Sequence, residues 1–397
     1  MSDQAPSAEP LPRVPGSRNT GLDRARAVAT MAMVMGHTLD AVLSDAARHG
    51  VGMVTYWSLR AVTAPLFLFV AGWAFATTVQ RTGAHGWGVL RRYLPRVGLL
   101  LGWGYLLRWP GWGLPLLFAG DETVWRHFLA FDALHGVAAA LLMGASVLSV
   151  LKGRTARMRA LAALAVLVPL ASPWVRATVL AGGWPLALEQ ALASRTSNFP
   201  IFPWSSYFFM GGLAGLGLAE VKRVPHWLCL MGTGTGILAL MSLWGGDPRV
   251  SDPTLVAWRV GLLSVAAGVA MLLPSRLDRW MAPVGRASLW VYVVHLPLAY
   301  GWSNVAGLAS RLGRSQDALP ALGLALSVLT VSLLIALPAK KLHGRWRKRD
   351  RGSARPGPHP EPAAPHGEST PRPPGEEPLV VQRGGKPPGV RSPRLPG

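Results

Sequence analysis

Long apolar runs, each closed by a short polar or basic stretch, succeed one another from about residue 22 to residue 338. An α-helix needs roughly 20 apolar residues to cross about 30 Å of hydrocarbon, and it satisfies its own backbone while doing so. On that spacing ten candidate spans fall at 22–43, 58–80, 91–108, 132–151, 157–174, 200–219, 226–245, 256–274, 284–305 and 319–338. The stretch 109–131 is apolar but is broken by Pro110, Gly111, Gly113 and Pro115 and by the acidic pair Asp121 and Glu122, which predicts an interfacial segment. Residues 176–199 leave room for an eleventh span. The expected fold is all-α, a polytopic membrane helical bundle of about ten transmembrane helices.

Cations set the orientation, because cytoplasmic loops carry the excess of Lys and Arg. They gather before the first span (Arg13, Arg18, Arg24), between the second and third (Arg81, Arg91, Arg92, Arg96) and between the fourth and fifth (Lys152, Arg154, Arg157, Arg159). The same holds between the sixth and seventh (Lys222, Arg223), between the eighth and ninth (Arg276, Arg279, Arg286), and after the tenth (Lys340, Lys341, Arg345). The intervening loops hold acids such as Asp121, Glu122, Glu189, Asp247 and Asp252. Both termini are therefore expected in the cytoplasm, on an integral multi-pass protein of the inner membrane. The first run is too long for a signal peptide and follows a polar arm, so it reads as a mature span. Residues 1–20 are expected to be a disordered cytoplasmic arm, 21–342 the transmembrane domain, and 343–397 a basic, Pro- and Gly-rich disordered tail.

Composition agrees: 50% of residues are hydrophobic and 15% charged, and the mean hydropathy is +0.29. Forty Lys and Arg against nineteen Asp and Glu give +21. In a soluble chain that balance would point to nucleic acid, but here the cations lie between apolar runs, so the expected partner is the lipid bilayer and not nucleic acid. A cluster at Arg345, Arg347, Lys348, Arg349 and Arg351 suits a topology anchor or anionic headgroups. The single cysteine, Cys229, excludes an intramolecular disulfide and a cysteine-based metal site, and no metal is expected. P-loop, zincin, GxSxG and EF-hand signatures are absent, which excludes the familiar ATPases, metalloproteases and serine hydrolases. Gly211, Gly212, Gly215 and Gly217, and Gly232, Gly234 and Gly236, lie inside spans and predict close helix packing.

Ionisable residues within spans are costly and mark candidate sites. Span one carries Asp23, Arg26, His37 and Asp40. Asp23 and Arg26 are i,i+3 neighbours able to pair. Arg26 and His37 stand about three turns apart, on one face and roughly 16 Å along the axis. Arg26 either serves a site or snorkels to headgroups, and His37 either serves a site or bonds a neighbouring helix. Most of the seventeen tryptophans, among them Trp57, Trp103, Trp109, Trp112, Trp125, Trp174, Trp184 and Trp302, fall near span ends as an aromatic belt. Trp204, beside the prolines at the outer entry of span six, is the one suited to stacking a sugar or lining a channel.

The Arg26-x10-His37 spacing behind an LDxxR frame is similar to the first-helix signature of the membrane-bound acyltransferase 3 family and of its wider superfamily, which includes the heparan-α-glucosaminide N-acetyltransferase type. Further segments follow in order. The run Ala64, Pro65, Leu66, Phe67, Leu68, Phe69, Val70, Ala71, Gly72, Trp73 resembles the family's second helix, with Ala71 where Ser is common. Arg91, Arg92, Tyr93, Leu94, Pro95 and Arg96 resemble its basic entrance to helix three. Phe199, Pro200, Ile201, Phe202, Pro203 and Trp204, leading to Gly211 and Gly212, resemble the heparan-type branch, whereas Ser288, Leu289, Trp290, Tyr292 and His295 resemble the late helix of acyltransferase 3 proteins. The likeness covers about residues 20–340 and mixes features of two branches.

The resemblance implies an enzyme that transfers an acyl group, usually acetyl, from cytoplasmic acyl-CoA to a hydroxyl or amine of a glycan or other acceptor outside or within the membrane. Acyl-CoA, as acetyl-CoA, is then a co-substrate. The expected donor-binding residues are Asp23, Arg26, Arg91, Arg92 and Arg96, a cationic mouth suited to phosphates. His37 is the expected general base, imidazole having a pKa near 6.5, or it forms an acyl-histidine. Asp40 either orients its ring or caps the outer interface. His295 or Ser288 would bind an oxyanion or merely pack a helix. Asp132, His135 and Trp204 are the expected acceptor-side residues. A secondary transporter or lipid-linked glycan translocator is the alternative, since intramembrane His and Arg also mark substrate paths, but inverted repeats and paired helix breaks are not evident. A scaffold presenting its basic tail would leave Arg26 and His37 unexplained. Sequence leaves the acceptor and the oligomeric state open.

Overall fold

A computed structural model describes residues 19–50, 52–53, 56, 61–243 and 252–353. The arm before residue 19, the start of the second span at 58–60, Trp57, Asp247, the tail beyond 353 and the side chains of Arg345, Arg347, Lys348, Arg349 and Arg351 lie outside the described residues. Ten helices of 17 residues or more are present among those described. They are α1 (Thr20–Val42), α2 (Thr63–Thr82), α3 (Trp87–Leu107), α4 (Ala133–Val150), α5 (Arg154–Leu180), α6 (Ile201–Gly217), α7 (Val224–Leu243), α8 (Pro253–Leu272), α9 (Asp278–Tyr300) and α10 (Ala318–Ser353). Six of them, α2, α4, α5, α7, α8 and α10, are long and apolar enough to cross a membrane. The other four are α1, α3 and α9, which carry several charged residues, and α6, with 17.

Helix direction alternates along the chain. Arg24, early in α1, pairs with Asp278 at the start of α9 at 3.0 Å, whereas His37 late in α1 meets Tyr300 at the end of α9, so these two helices run parallel. Positions early in α7 face positions late in α8: a Cβ on Gly268 would lie 2.6 Å from the Cys229 Sγ. The end where α1 starts is here the proximal end, and the opposite one the distal end. At the distal end Phe199 donates its amide to the Phe131 carbonyl at 3.1 Å, and Gln316 and Ser44 exchange backbone bonds with the Val42 to Ser44 segment and Gln316 respectively.

The expected interfacial stretch 109–131 consists of a 3₁₀ turn at Gly111–Gly113 and two short helices, Leu114–Phe118 and Glu122–Leu129, joined to the seven-residue helix Leu186–Leu192 by Arg126 and Glu189 at 2.6 Å. Within 176–199 only the end of α5 and that short helix occur, so no eleventh long helix forms there. The ninth span stops earlier than expected: Gly301, with φ of 94°, ends α9, and a tight hairpin of β1 (Gly301–Trp302) and β2 (Val305–Ala306) follows. The last helix runs on to Ser353, past the expected boundary at 342.

Two contacts explain much of the packing. Gly72 and Gly211 let α2 and α6 touch backbone to backbone, for a Cβ at either would overlap the carbonyl oxygen of Phe208 or Phe69. Gly232 and Gly261 do the same for α7 and α8, for a Cβ on Gly232 would lie 2.6 Å from the Gly261 carbonyl oxygen and one on Gly261 would lie 2.6 Å from the Gly236 nitrogen, while Gly234 faces open space. Arg157, expected only as a topology cation, is 4% exposed and fastens the proximal end. Its guanidinium donates to the carbonyls of Leu151 (3.2 Å), Val79 (3.4 Å) and Ala84 (2.6 Å) and to Gln80 Oε1 (3.2 Å), neutralising the carbonyl end of α2. Arg157→Ala is expected to lower stability by roughly 2–4 kcal/mol, since it strands buried acceptors; a detergent-state melting curve unchanged from wild type would contradict this.

Candidate active site

At the distal end α1, α9 and the short helix Asp45–Arg48 bring four polar side chains into a line. Tyr300, the last residue of α9 before the Gly301 stop, donates its hydroxyl to Asp40 Oδ2 at 3.1 Å, and its oxygen lies 3.2 Å from His37 Nδ1. Because that hydroxyl proton points to Asp40, the oxygen accepts from His37 in the tautomer that carries Nδ1–H. The imidazole lone pair is then on Nε2. Asp40 is itself held by Arg48, whose Nη1 donates to Oδ1 at 3.0 Å and whose Nη2 bonds the Asp40 carbonyl oxygen. Asp40 is thus joined to His37 through the Tyr300 hydroxyl. The hairpin after Tyr300 is pinned to α3 by Trp302 Nε1, which donates to the Leu106 carbonyl at 2.7 Å.

His295, about one and a half turns before Tyr300, is fully buried, with its ring centroid 5.4 Å from that of His37. Its Nδ1 donates to the Val291 carbonyl at 3.0 Å, which leaves neutral His295 with a lone pair on Nε2, an atom with no partner among the described residues. An oxyanion needs an N–H, and this tautomer does not present one there. His135 is the reverse case. Its Nδ1 accepts from the Asp132 amide at 3.2 Å, so the proton sits on Nε2, also buried without a partner. Asp132 and His135 form the capping box of α4, and Asp132 also meets Arg108 at 3.7 Å. Gly104 makes room for the ring: a Cβ there would come within 2.6 Å of it. The Asp132 carboxylate faces Tyr292 of α9, so the acid-bearing start of α4 borders the α9 histidine. Just outside, burial and then the Arg108 charge hold the His127 imidazole below its ordinary pKa, which keeps it neutral at pH 7.

The proximal residues sort into two groups. Asp23 is 2% exposed and lies between two cations: the expected Arg26 at 3.8 Å and Arg286 of α9 at 3.9 Å. Arg26 also reaches the Val70 carbonyl of α2 at 3.5 Å. Gly285 lets α9 approach closely here, for a Cβ on it would overlap the Asp23 carbonyl oxygen. Arg91, Arg92 and Arg96 are exposed on α3, which packs chiefly on α4 and not on α1. Arg92 and Arg96 cluster with Arg81 around Tyr93. Arg26 and the α3 arginines therefore occupy different helix pairs. On α6, Trp204 is half-buried against Phe199 at 4.5 Å and Tyr207 at 5.8 Å, and carries Arg259 of α8 over its ring.

Sequence reasoning gave no site role to Tyr300, Arg48, Arg108 and Arg259, nor to Arg286, which it took only as a topology cation. Only two of them carried a local signal: Tyr300 immediately precedes a glycine at a span end, and Arg259 is a cation inside an apolar run.

The class defined by these features is a multi-pass, all-helical membrane protein with a histidine–tyrosine–carboxylate line at one end of its bundle and buried arginine–aspartate pairing at the other. A family model for the acyltransferase domain matches residues 19–337, and the chain belongs to the acyltransferase 3 family. It is a membrane acyltransferase in the general sense that this family defines. No curated protein matches it.

Proposed function

We propose that the chain transfers an acyl group, acetyl in the simplest case, from cytoplasmic acyl-CoA to a hydroxyl or amine of a glycan or other extracytoplasmic or membrane acceptor. The observation that carries this reading is the His37–Tyr300–Asp40 line, with Nδ1 to Oη at 3.2 Å and Oη to Oδ2 at 3.1 Å. Acyl transfer requires the acceptor to lose a proton as its oxygen or nitrogen attacks the thioester carbonyl. His37 Nε2 takes that proton, and the imidazolium so formed is stabilised through Tyr300 by the Asp40 carboxylate. The thiolate of CoA leaves and is protonated, which the same imidazolium supplies. His135, whose Nε2 carries a buried N–H, is the better-suited donor for the developing oxyanion. Arg26, held by Asp23, and the exposed Arg91, Arg92 and Arg96 offer positive charge for the donor's phosphates at the proximal, cytoplasmic end. This assigns both termini to the cytoplasm and all ten long helices to the membrane of a bacterial cell envelope.

The test is release of free CoA from acetyl-CoA by the purified chain in nanodiscs, alone and with crude glycan extracts. Tyr300→Phe is expected to slow it by roughly 10–100-fold, with little change in acetyl-CoA affinity, because it deletes the hydroxyl joining His37 to Asp40. Unchanged turnover in Tyr300→Phe would remove the line from the mechanism, and absence of any acyl-CoA binding by wild type would remove the donor.

A further inference from the structure

The half-buried Arg259 of α8 is an intramembrane cation with no carboxylate partner among the described residues. It lies two turns into α8, the helix that begins at the distal end with Asp252 as its cap. Its guanidinium carbon is 5.8 Å from the Trp204 ring centroid, and its Nε and Nη1 are buried without hydrogen-bond partners. Beside it, Tyr207 is completely buried, and its hydroxyl faces the guanidinium without reaching hydrogen-bond geometry. A guanidinium that rests on a π face with its buried Nε–H and Nη1–H lacking acceptors is costly, so the pair is a poor structural device and a good half of an anion site. The other groups point the same way. A tyrosine hydroxyl adds a donor beside the planar guanidinium fork, which matches a carboxylate or phosphate in two-pronged fashion. Phe199 packs against Trp204 with its ring tilted and lies against Gly136, next to His135, so the cluster adjoins the acceptor side of the histidine site.

We infer that Arg259, held on Trp204 and backed by Tyr207, binds an oxyanion borne by the acceptor, so that the favoured acceptor is an acidic sugar, a uronate or sugar phosphate, and not a neutral one. The assignment of this anion to the acceptor rests on the acyltransferase reading above. Trp204 then serves as the platform for the arginine, its ring being already flanked by Phe199.

The test measures binding of glucuronic acid, glucose 1-phosphate and glucose to the full chain in phosphatidylcholine nanodiscs by saturation-transfer NMR, for wild type, Arg259→Gln and Arg259→Lys. Wild type is expected to bind at least one anionic sugar about tenfold or more tightly than glucose, Arg259→Gln to abolish that preference, and Arg259→Lys to retain part of it. Melting curves run alongside identify any variant that fails to fold, and Arg259→Lys keeps the charge where Arg259→Gln does not fold. Equal affinities in wild type, or a preference that survives in folded Arg259→Gln, would overturn the inference. So would native mass spectra in which Arg259 retains phosphatidylglycerol in mixed discs and that lipid displaces the anionic sugar, since the occupant would then be a lipid headgroup. Acetyl-CoA binding is read in the same discs: its absence with the sugar preference intact defeats the donor assignment and leaves the anion site standing.

Discussion

His37→Ala is expected to lower CoA release from acetyl-CoA by about 10²–10⁴-fold while leaving acetyl-CoA affinity within about twofold. The size follows from the role. A positioned base supplies that range of acceleration, and the Nδ1–H tautomer fixed by Tyr300 and Asp40 puts the lone pair on the nitrogen that must act. The binding side follows from position, because His37 sits late in α1 at the distal end, whereas Arg26 and Asp23 lie early in it. The expected pH dependence follows too: turnover falls as pH drops through the pKa of the base, since imidazolium cannot accept a second proton. His37→Ala with wild-type turnover would exclude the imidazole from the chemistry, and parallel loss of binding and turnover would make His37 a structural residue of the bundle.

Gly211→Val is expected to prevent the bundle from assembling, a loss of about 3 kcal/mol or more relative to wild type. A Cβ at Gly211 would overlap the Phe69 carbonyl oxygen, and backbone cannot move aside as a flexible side chain can. The reciprocal contact of Gly72 on the Phe208 carbonyl means that separating α2 from α6 breaks both approaches at once. The buried Phe208 and Phe209 rings at this seam would lose their close packing. The measurement is the monodisperse fraction on size exclusion together with the thermal midpoint. Gly102→Ala on α3 is the comparison, since nothing lies within 4 Å of the Cβ it adds and helix propensity alone favours it. A monodisperse Gly211→Val with an unchanged midpoint would show that α2 and α6 are not in backbone contact.

Much of the helix arrangement was legible because the signal is local. Apolar run length located each of the ten long helices, although the fifth runs on to Leu180, the ninth begins at Asp278 and the tenth ends at Ser353, and the cations marked one set of connections. The Asp23 and Arg26 pair was legible for the same reason, being one turn apart on one helix. Glycine packing was legible where small residues repeat along a span, although Gly234 shows that the pattern does not say which glycine faces the partner. The ninth helix end was missed because Trp302 and Val305 prolong the apolar run past Gly301, so composition hid a backbone stop.

The site was legible only in part, and the missing part is long-range. His37 and Asp40 stand out on α1 by themselves, but the group between them, Tyr300, comes from 260 residues away from Asp40. Arg286 meets Asp23 only because Gly285 lets α9 and α1 close together. The expectation of a single cationic mouth joined Arg26 to Arg91, Arg92 and Arg96 on charge alone, whereas helix packing places α3 beside α4. Which lone pair His295 or His135 presents depends on a carbonyl in one case and an amide in the other, and residue type carries neither fact.

The most direct test of the central claim is CoA release by wild type in proteoliposomes of known orientation, with acetyl-CoA supplied to one face at a time. The account predicts release only when acetyl-CoA meets the face carrying Arg91, Arg92 and Arg96, and almost none from either face with His37→Ala. Release from the opposite face alone, or none from either face in wild type at saturating acetyl-CoA, would contradict it.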